Sequence, residues 1–388
     1  MKRFPLCSTL CALILVPALM TLRLRGQSMD DLNLQVHGYA TQGFLYSNQN
    51  SWDGTNSENG SAAWTEAVVN LSAQPNSKLR AGAQARYFRL GNYGNRVSLD
   101  WAQADYRVNE KFGFRVGKVK SPVGLLNETQ DIDPAYLWAL LPQSVYPIAS
   151  RNSLLNHYGG VVYGTVPLGE ALGKVEYRGY AGERTLASSD GFFQPFRDLG
   201  ITLPNGTHGP TLGATLAWRT PLTGLRIGAS YEYDHQTGDL VLGGMQGKLE
   251  NGPFRIPFYF GQYEKKRFMV GGEYVRVRLN SISRFPYLPA FVTEIDLRSF
   301  YAMSSFKLTN KLAVGAYYAN TMDRKIPVSS ARFQKDWTIS TRYDFNPYLY
   351  AKAEQHFIDG TSRGFNASDN PNLQPTTRMT ILKLGVSF

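Results

Sequence analysis

Leu225-Arg226-Ile227-Gly228-Ala229-Ser230-Tyr231-Glu232-Tyr233-Asp234 decides the fold. Leu225, Ile227, Ala229, Tyr231 and Tyr233 fall on one face of an extended chain, and Arg226, Ser230, Glu232 and Asp234 on the other. A period of two belongs to a β-strand with unlike surroundings on its two sides. Leu79 to Tyr87 repeats the pattern, with Leu79, Ala81, Ala83, Ala85 and Tyr87 opposite Arg80, Gln84 and Arg86. In Gly173 to Gly182, Val175, Tyr177 and Ala181 oppose Lys174, Glu176 and Arg178. No long stretch carries helical periodicity. Sixteen strands are expected, at 32–47, 62–74, 79–90, 97–108, 112–120, 157–166, 173–182, 211–219, 225–234, 254–263, 267–279, 296–308, 312–320, 333–343, 348–357 and 377–388.

The connectors alternate in length. Gln74–Lys78, Asn109–Lys111, Thr309–Lys311 and Asp344–Pro347 are short and rich in turn residues; 48–61, 121–156, 183–210, 235–253, 280–295, 321–332 and 358–376 are long, and 91–96 is a short exception. Short turns at one end, long loops at the other and an even strand count are the plan of a transmembrane antiparallel β-barrel of the bacterial outer membrane. Lipid offers backbone N–H and C=O groups no partners, so the last strand must close on the first. Tyr87, Tyr106, Phe112, Phe268, Tyr343 and Tyr348 lie near strand ends, as aromatic girdles require. The final strand alternates Thr380, Leu382, Leu384, Val386 and Phe388 with Ile381, Lys383, Gly385 and Ser387, a pattern similar to the terminal signal of outer-membrane barrels.

The 388 residues are 43% hydrophobic, 13% aromatic and 18% charged, with a mean hydropathy of −0.29. That excludes a bundle of transmembrane helices and a disordered chain. Residues 1–28 are expected to be a signal peptide, with Lys2 and Arg3 ahead of an apolar stretch to about Leu22 and cleavage before Met29. The barrel domain is then 29–388, with 37 basic and 30 acidic residues and neither Cys7 nor Cys11.

The longest connector, 121–156, carries Pro122, Pro134, Pro142 and Pro147 with Leu137, Trp138, Leu140 and Leu141 among them. So much apolar surface does not suit a loop in water. It is expected to fold inward and narrow the lumen, or to pack across a subunit interface. It follows Arg115-Val116-Gly117-Lys118-Val119-Lys120-Ser121-Pro122-Val123-Gly124-Leu125, which resembles the strand-and-loop signature of Gram-negative porins related to the phosphate-selective O and P type. The resemblance implies a homotrimer of sixteen-stranded barrels and makes Arg115, Lys118 and Lys120 lumen or pore-mouth cations. The chain departs from that type in 235–253, where Lys248 is the one lysine.

Sixteen strands leave an aqueous channel. Arg80, Arg86, Arg107 and Arg115 are expected to form a basic stripe facing Glu128, Asp131 and Asp133 on the inner loop, although such arginines can also pair with inward acids as wall structure. A transverse field of that kind filters solutes by charge and dipole. The function expected is passive diffusion of small hydrophilic solutes with weak anion preference. The alternatives are a channel specific for phosphate or an organic acid, and a structural or adhesive barrel without transport. His37, His157, His208, His235 and His356 show no metal-ligand spacing, and no nucleophile elbow or phosphate loop occurs, so neither an enzyme nor a cofactor is expected. His157 and His356 read as solvated structural side chains. Basic residues alternate with apolar ones rather than clustering, which argues against nucleic acid as a partner.

Overall fold

The computed structural model describes residues 32–388, and the expected signal peptide lies outside them. The strands are β1 Gln35–Ser47, β2 Ser61–Ala73, β3 Leu79–Leu90, β4 Tyr93–Arg107, β5 Gly113–Lys120, β6 Asn156–Pro167, β7 Lys174–Leu186, β8 Ile201–Thr202, β9 Thr207–Arg219, β10 Leu225–Leu242, β11 Met245–Lys265, β12 Phe268–Arg284, β13 Phe291–Lys307, β14 Leu312–Asp323, β15 Phe333–Asp344, β16 Leu349–Gly360 and β17 Thr376–Ser387. β8 is a two-residue strand in a long loop and pairs only with Val241 and Leu242 at the tip of β10. The other sixteen form the wall, each antiparallel to its neighbours. β1 closes on β17 from Tyr39 opposite Ser387 to Ser47 opposite Met379. Gly38 and Phe388 complete the seam by exchanging backbone hydrogen bonds of 3.0 Å.

The two faces of each strand meet different surroundings. Leu216, Leu382 and Trp337 stand on the outer wall, 60%, 51% and 59% exposed. The alternate positions point inward, where Gln84, Arg86, Ser230 and Glu232 are buried. Phe112, Phe268, Phe306, Tyr343 and Tyr348 ring the outer wall near the short turns. Tyr231, Tyr259, Tyr274, Phe300 and Trp337 form a second row farther up. This apolar band between aromatic rows is the surface a bilayer requires.

Two expected loops are largely strand. The stretch 235–253 continues β10 and β11 in a tall hairpin joined by Gly243-Gly244, whose φ values of 55° and 84° are those a two-residue turn needs. Likewise β12 runs to Arg284 and β13 starts at Phe291, inside the expected connector 280–295. Both extensions rise beyond the aromatic row, where water wets the outer face and apolar alternation fades. β4 also begins earlier than expected, at Tyr93, paired with Leu90 across a tight turn.

Leu382→Arg on the outer wall is expected to cost about 2–4 kcal/mol of stability, the penalty for arginine facing hydrocarbon. Denaturant unfolding from phospholipid vesicles measures it; a loss under about 0.5 kcal/mol, the level of an ordinary surface change, would show that this face does not meet lipid.

Candidate functional site: the inner loop and the lumen

β5 runs straight into the segment that fills the barrel. Gly124, at φ 63°, lets the loop lie against β12, where a Cβ would stand 2.2 Å from Glu273 Oε1. From there the chain crosses the lumen and meets the wall on every side. The Pro122 carbonyl accepts from Thr215 Oγ1, and the Gly124 N–H donates to Ser230 Oγ at 3.0 Å. Leu125 N–H and Tyr146 Oη donate to Glu273 at 3.2 and 2.6 Å. On the far side, the N–H groups of Ala139 and Leu140 donate to the Glu354 carboxylate at 2.7 and 3.0 Å. Arg342 donates to the carbonyls of Pro134 and Tyr136 at 2.6 and 2.8 Å.

The loop's apolar residues face apolar patches of the inner wall. Trp138 meets Tyr317 edge to face at 5.2 Å, in a cluster with Val145, Tyr146, Val275, Tyr301 and Met303. Ala139 and Leu140 pack in a second cluster with Leu45, Trp64 and Ile381. The leucines and tryptophan that suit no water-exposed loop are therefore a core inside the barrel.

The acids of the loop each touch wall cations. Glu128 bonds Arg115 at 2.9 Å and lies 3.4 Å from Arg178. Asp131 bonds Lys120 at 2.7 Å and accepts from Gln84 at 2.7 Å, while its carbonyl accepts from Tyr39 Oη at 2.9 Å. Asp133 is held by Lys352 at 2.9 Å, Lys383 at 2.5 Å and Tyr350 Oη at 2.7 Å. Burial works to raise both the Glu128 and the Asp133 carboxyls. Arg178 and Arg115 outweigh it for Glu128, and Lys352 and Lys383 for Asp133, so both stay below the usual carboxylate range.

The remaining predicted cations are scattered. Arg86 is buried against Glu66 at 2.5 Å and stacks over Phe88. Arg80 lies on the inward face near the short turns and donates to Ser72 Oγ at 3.3 Å. Arg107 is exposed at the same end and lines a cavity with Arg115, Lys174, Glu176 and Arg178. Arg115 also bonds Asp105 at 3.1 Å. Of the four arginines of the expected stripe, Arg115 touches a loop acid and Arg86 pairs within the wall; Lys120, outside that stripe, makes the second direct contact with the loop. Lys118 departs from its expected place in the lumen. It pairs in register with outward Ala102, its ammonium bonds the Leu99 carbonyl at 2.5 Å, and it lies over the exposed Tyr158 ring on the outer wall. The β4–β5 ladder stops at that pair. Lys120, beyond the ladder, turns inward to the loop.

Spacing within strands cannot locate three further cations that sit in turns, while a fourth, Lys307, ends β13 on the inward parity of Tyr301 and Met303. Lys266, Arg267, Lys307 and Lys311 line a cavity of about 370 Å³ at the short-turn end, with Leu125, Tyr136 and Trp138 of the loop as its roof. Beyond the loop, at the long-loop end, a vestibule of about 680 Å³ is walled by Phe192, Phe196, Leu279, Ile295 and Arg363. His157 and His356 are buried rather than solvated: His157 Nδ1 meets Ser121 Oγ at 2.9 Å, and His356 bridges Asp336 and Glu354 at 2.9 and 3.2 Å. With Ser121 Oγ also accepting from Arg184 at 3.1 Å, the Ser121–His157 contact is a brace between loop and wall.

A closed sixteen-stranded cylinder with an apolar exterior and a loop folded inward after β5 has the fold of outer-membrane porins, and it is an outer-membrane barrel. Among solved structures, it is similar to Salmonella typhi OmpF in complex with daunomycin, at a TM-score of 0.59 and 13% identity over 93% of this chain and 99% of that one. It is also similar to Vibrio cholerae OmpT (TM-score 0.56, 11% identity, 93% and 99% covered) and to the anion-selective porin of Comamonas acidovorans (0.55, 10%, 92% and 99%). No protein-family model matches the sequence. No curated protein matches it either.

Because the folded loop depresses the Asp133 pKa, this anchor is at full strength above the ordinary carboxylate pKa of about 3.9 and fades as pH falls well below it. Amide protection over 131–140, corrected for intrinsic exchange, is expected to be the same at about pH 7 and about pH 5. Asp133→Asn should lower it at least about tenfold at both, the scale of one broken buried charge contact. Unchanged protection in the variant would show that Asp133 does not hold the loop.

Proposed function

We propose that this protein is an outer-membrane channel that lets small hydrophilic solutes diffuse through its lumen, with weak preference for anions. The observation that carries this is a closed cylinder wide enough for water whose inner loop leaves a basic chamber below it. Lys266, Arg267, Lys307, Lys311 and Arg342 line that chamber against Glu264 and Asp344. Its neighbour adds Arg107, Arg115, Lys174 and Arg178 against Glu110 and Glu176. An excess of cations at one mouth raises the local anion concentration. Selectivity is therefore assigned to this mouth together with Arg80 and Arg107, while the charges around Glu128, Asp131 and Asp133 fix the loop that sets the bore. The similarity to an anion-selective porin supports the same sign.

Assembly as a homotrimer is part of the proposal, supported by the trimer form of Vibrio cholerae OmpT. A channel dedicated to one organic acid is the second reading. It is favoured by the apolar vestibule beside Arg363, which suits a solute with a greasy body better than free phosphate. The phosphate-selective resemblance loses one of its three carried-over cations, since Lys118 stands outside the barrel.

Purified protein in planar bilayers under a potassium chloride gradient should show a reversal potential of anion sign. The triple variant Lys266→Gln, Lys307→Gln, Lys311→Gln should move it toward zero or past it. No ion current at all would favour a barrel without transport, and an unmoved potential would remove the basic chamber as the source of selectivity.

A further inference from the structure

Four arginines stand together on the outer wall, where a barrel in lipid has least use for them. Arg255 on β11, Arg276 and Arg278 on β12 and Arg298 on β13 occupy outward positions, in register with one another across three strands. Arg255 lies opposite Arg278, which faces Asp296 on its other side, and Arg276 lies opposite Arg298. Like charges placed directly across a ladder repel and destabilise it. A single carboxylate serves the group: Asp296 binds Arg276 through both oxygens at 2.7 Å, and Arg298 reaches it at 3.6 Å. Arg298 Nε is shut from solvent without a hydrogen-bond partner. Among the described residues, no carboxylate lies within ion-pair distance of Arg255 or Arg278, and both are exposed.

Their height on the wall is the second observation. Immediately below them runs the upper aromatic row. Tyr259 and Tyr274 stack at 6.4 Å, and Phe300, Tyr318 and Trp337 continue the row at 5.8 and 4.7 Å. Such rows mark the level where hydrocarbon gives way to headgroups. The long loops lie on the same side as the arginines, so this is the outward-facing leaflet. In the same row as Arg255, Tyr233 of β10 and Leu212 of β9 are uncharged, so the arginine cluster ends at β11 on that side.

We propose that this patch is a binding site for the phosphate groups of an outer-leaflet glycolipid, whose acyl chains lie along the apolar wall below. The guanidinium fork matches phosphate geometry, and several forks around one phosphorylated headgroup relieve the repulsion between the paired arginines. Asp296 holds Arg276 and Arg298 in place and leaves Arg255 and Arg278 turned outward for the ligand. Arginine side chains at the level of the headgroups pick out anionic lipid by the same attraction that draws basic segments to charged membranes. This site is independent of the channel proposal and does not require conduction.

The test uses the full-length barrel in detergent, titrated with bisphosphorylated lipid A, with the same lipid after removal of both phosphates, and with inorganic phosphate. Bound lipid is counted by native mass spectrometry. The phosphorylated lipid is expected to bind at least about tenfold more tightly than the dephosphorylated one. Arg255→Gln with Arg278→Gln should erase that difference, leaving the heat-modifiable gel mobility of the folded barrel unchanged. Should the double variant not fold, each single variant is expected to lose about threefold. Equal binding of the two lipids, an unaltered affinity in the variants, or competition by inorganic phosphate as strong as by the phosphorylated lipid would each overturn the proposal.

Discussion

Hydrocarbon cannot hydrogen-bond a peptide group, and the rest of this structure follows from that. A sheet that enters the bilayer must end on itself. The seam between Gln35–Ser47 and Thr376–Ser387 meets this demand with a continuous ladder, finished by the Gly38–Phe388 exchange. Closure also fixes what each side chain can be. With sixteen strands the cylinder is too wide for its own side chains to fill, so the inward face meets either water or an inserted segment.

The inserted segment supplies an interior with both halves of a soluble core. Its apolar residues have apolar partners on the wall, Trp138 with Tyr317 and Leu140 with Trp64 and Ile381. Its acids have cations, Asp133 above all, with two lysines on one carboxylate. Taking a charge out of water costs several kcal/mol unless it is met by an opposite charge and hydrogen bonds. Tyr350 supplies a further bond to Asp133, and Gln84 and Lys120 both reach Asp131. A loop anchored through so many unlike contacts has one favoured position, and that position defines the two chambers on either side.

The strands were legible because a bilayer outside and polar groups inside impose a strict period of two, as in Leu225–Asp234. Legibility failed where that contrast disappears. Above the aromatic row the outer face of β10 and β11 is wet, and only scattered residues such as Leu240 and Leu249 pack on the inner side, so the tall hairpin through Gly243-Gly244 read as loop. Lys118 and Lys120 share a parity, which puts them on one face in a regular strand. The ladder between β4 and β5 ends between them, and only one turns inward. Lys266, Arg267 and Lys311 of the basic chamber escaped because turns have no parity at all. Apolar content alone located the inner loop, but the partners of Asp133 lie on strands more than two hundred residues away.

On β11 to β13 the usual assignment of faces is reversed. Phe254, Ile256 and Phe258 point into the barrel, and Arg255 points out. The same holds on β12, where Val275 and Leu279 are inward and Arg276 and Arg278 outward. An apolar inner face is what the loop residues Val145 and Tyr146 need as a seat, and an outer face at headgroup level tolerates cations that hydrocarbon would not. Period two survives the reversal; only its sign changes. Alternation therefore states that a strand separates two environments, while the height along the barrel and the segment packed inside decide which of the two is greasy.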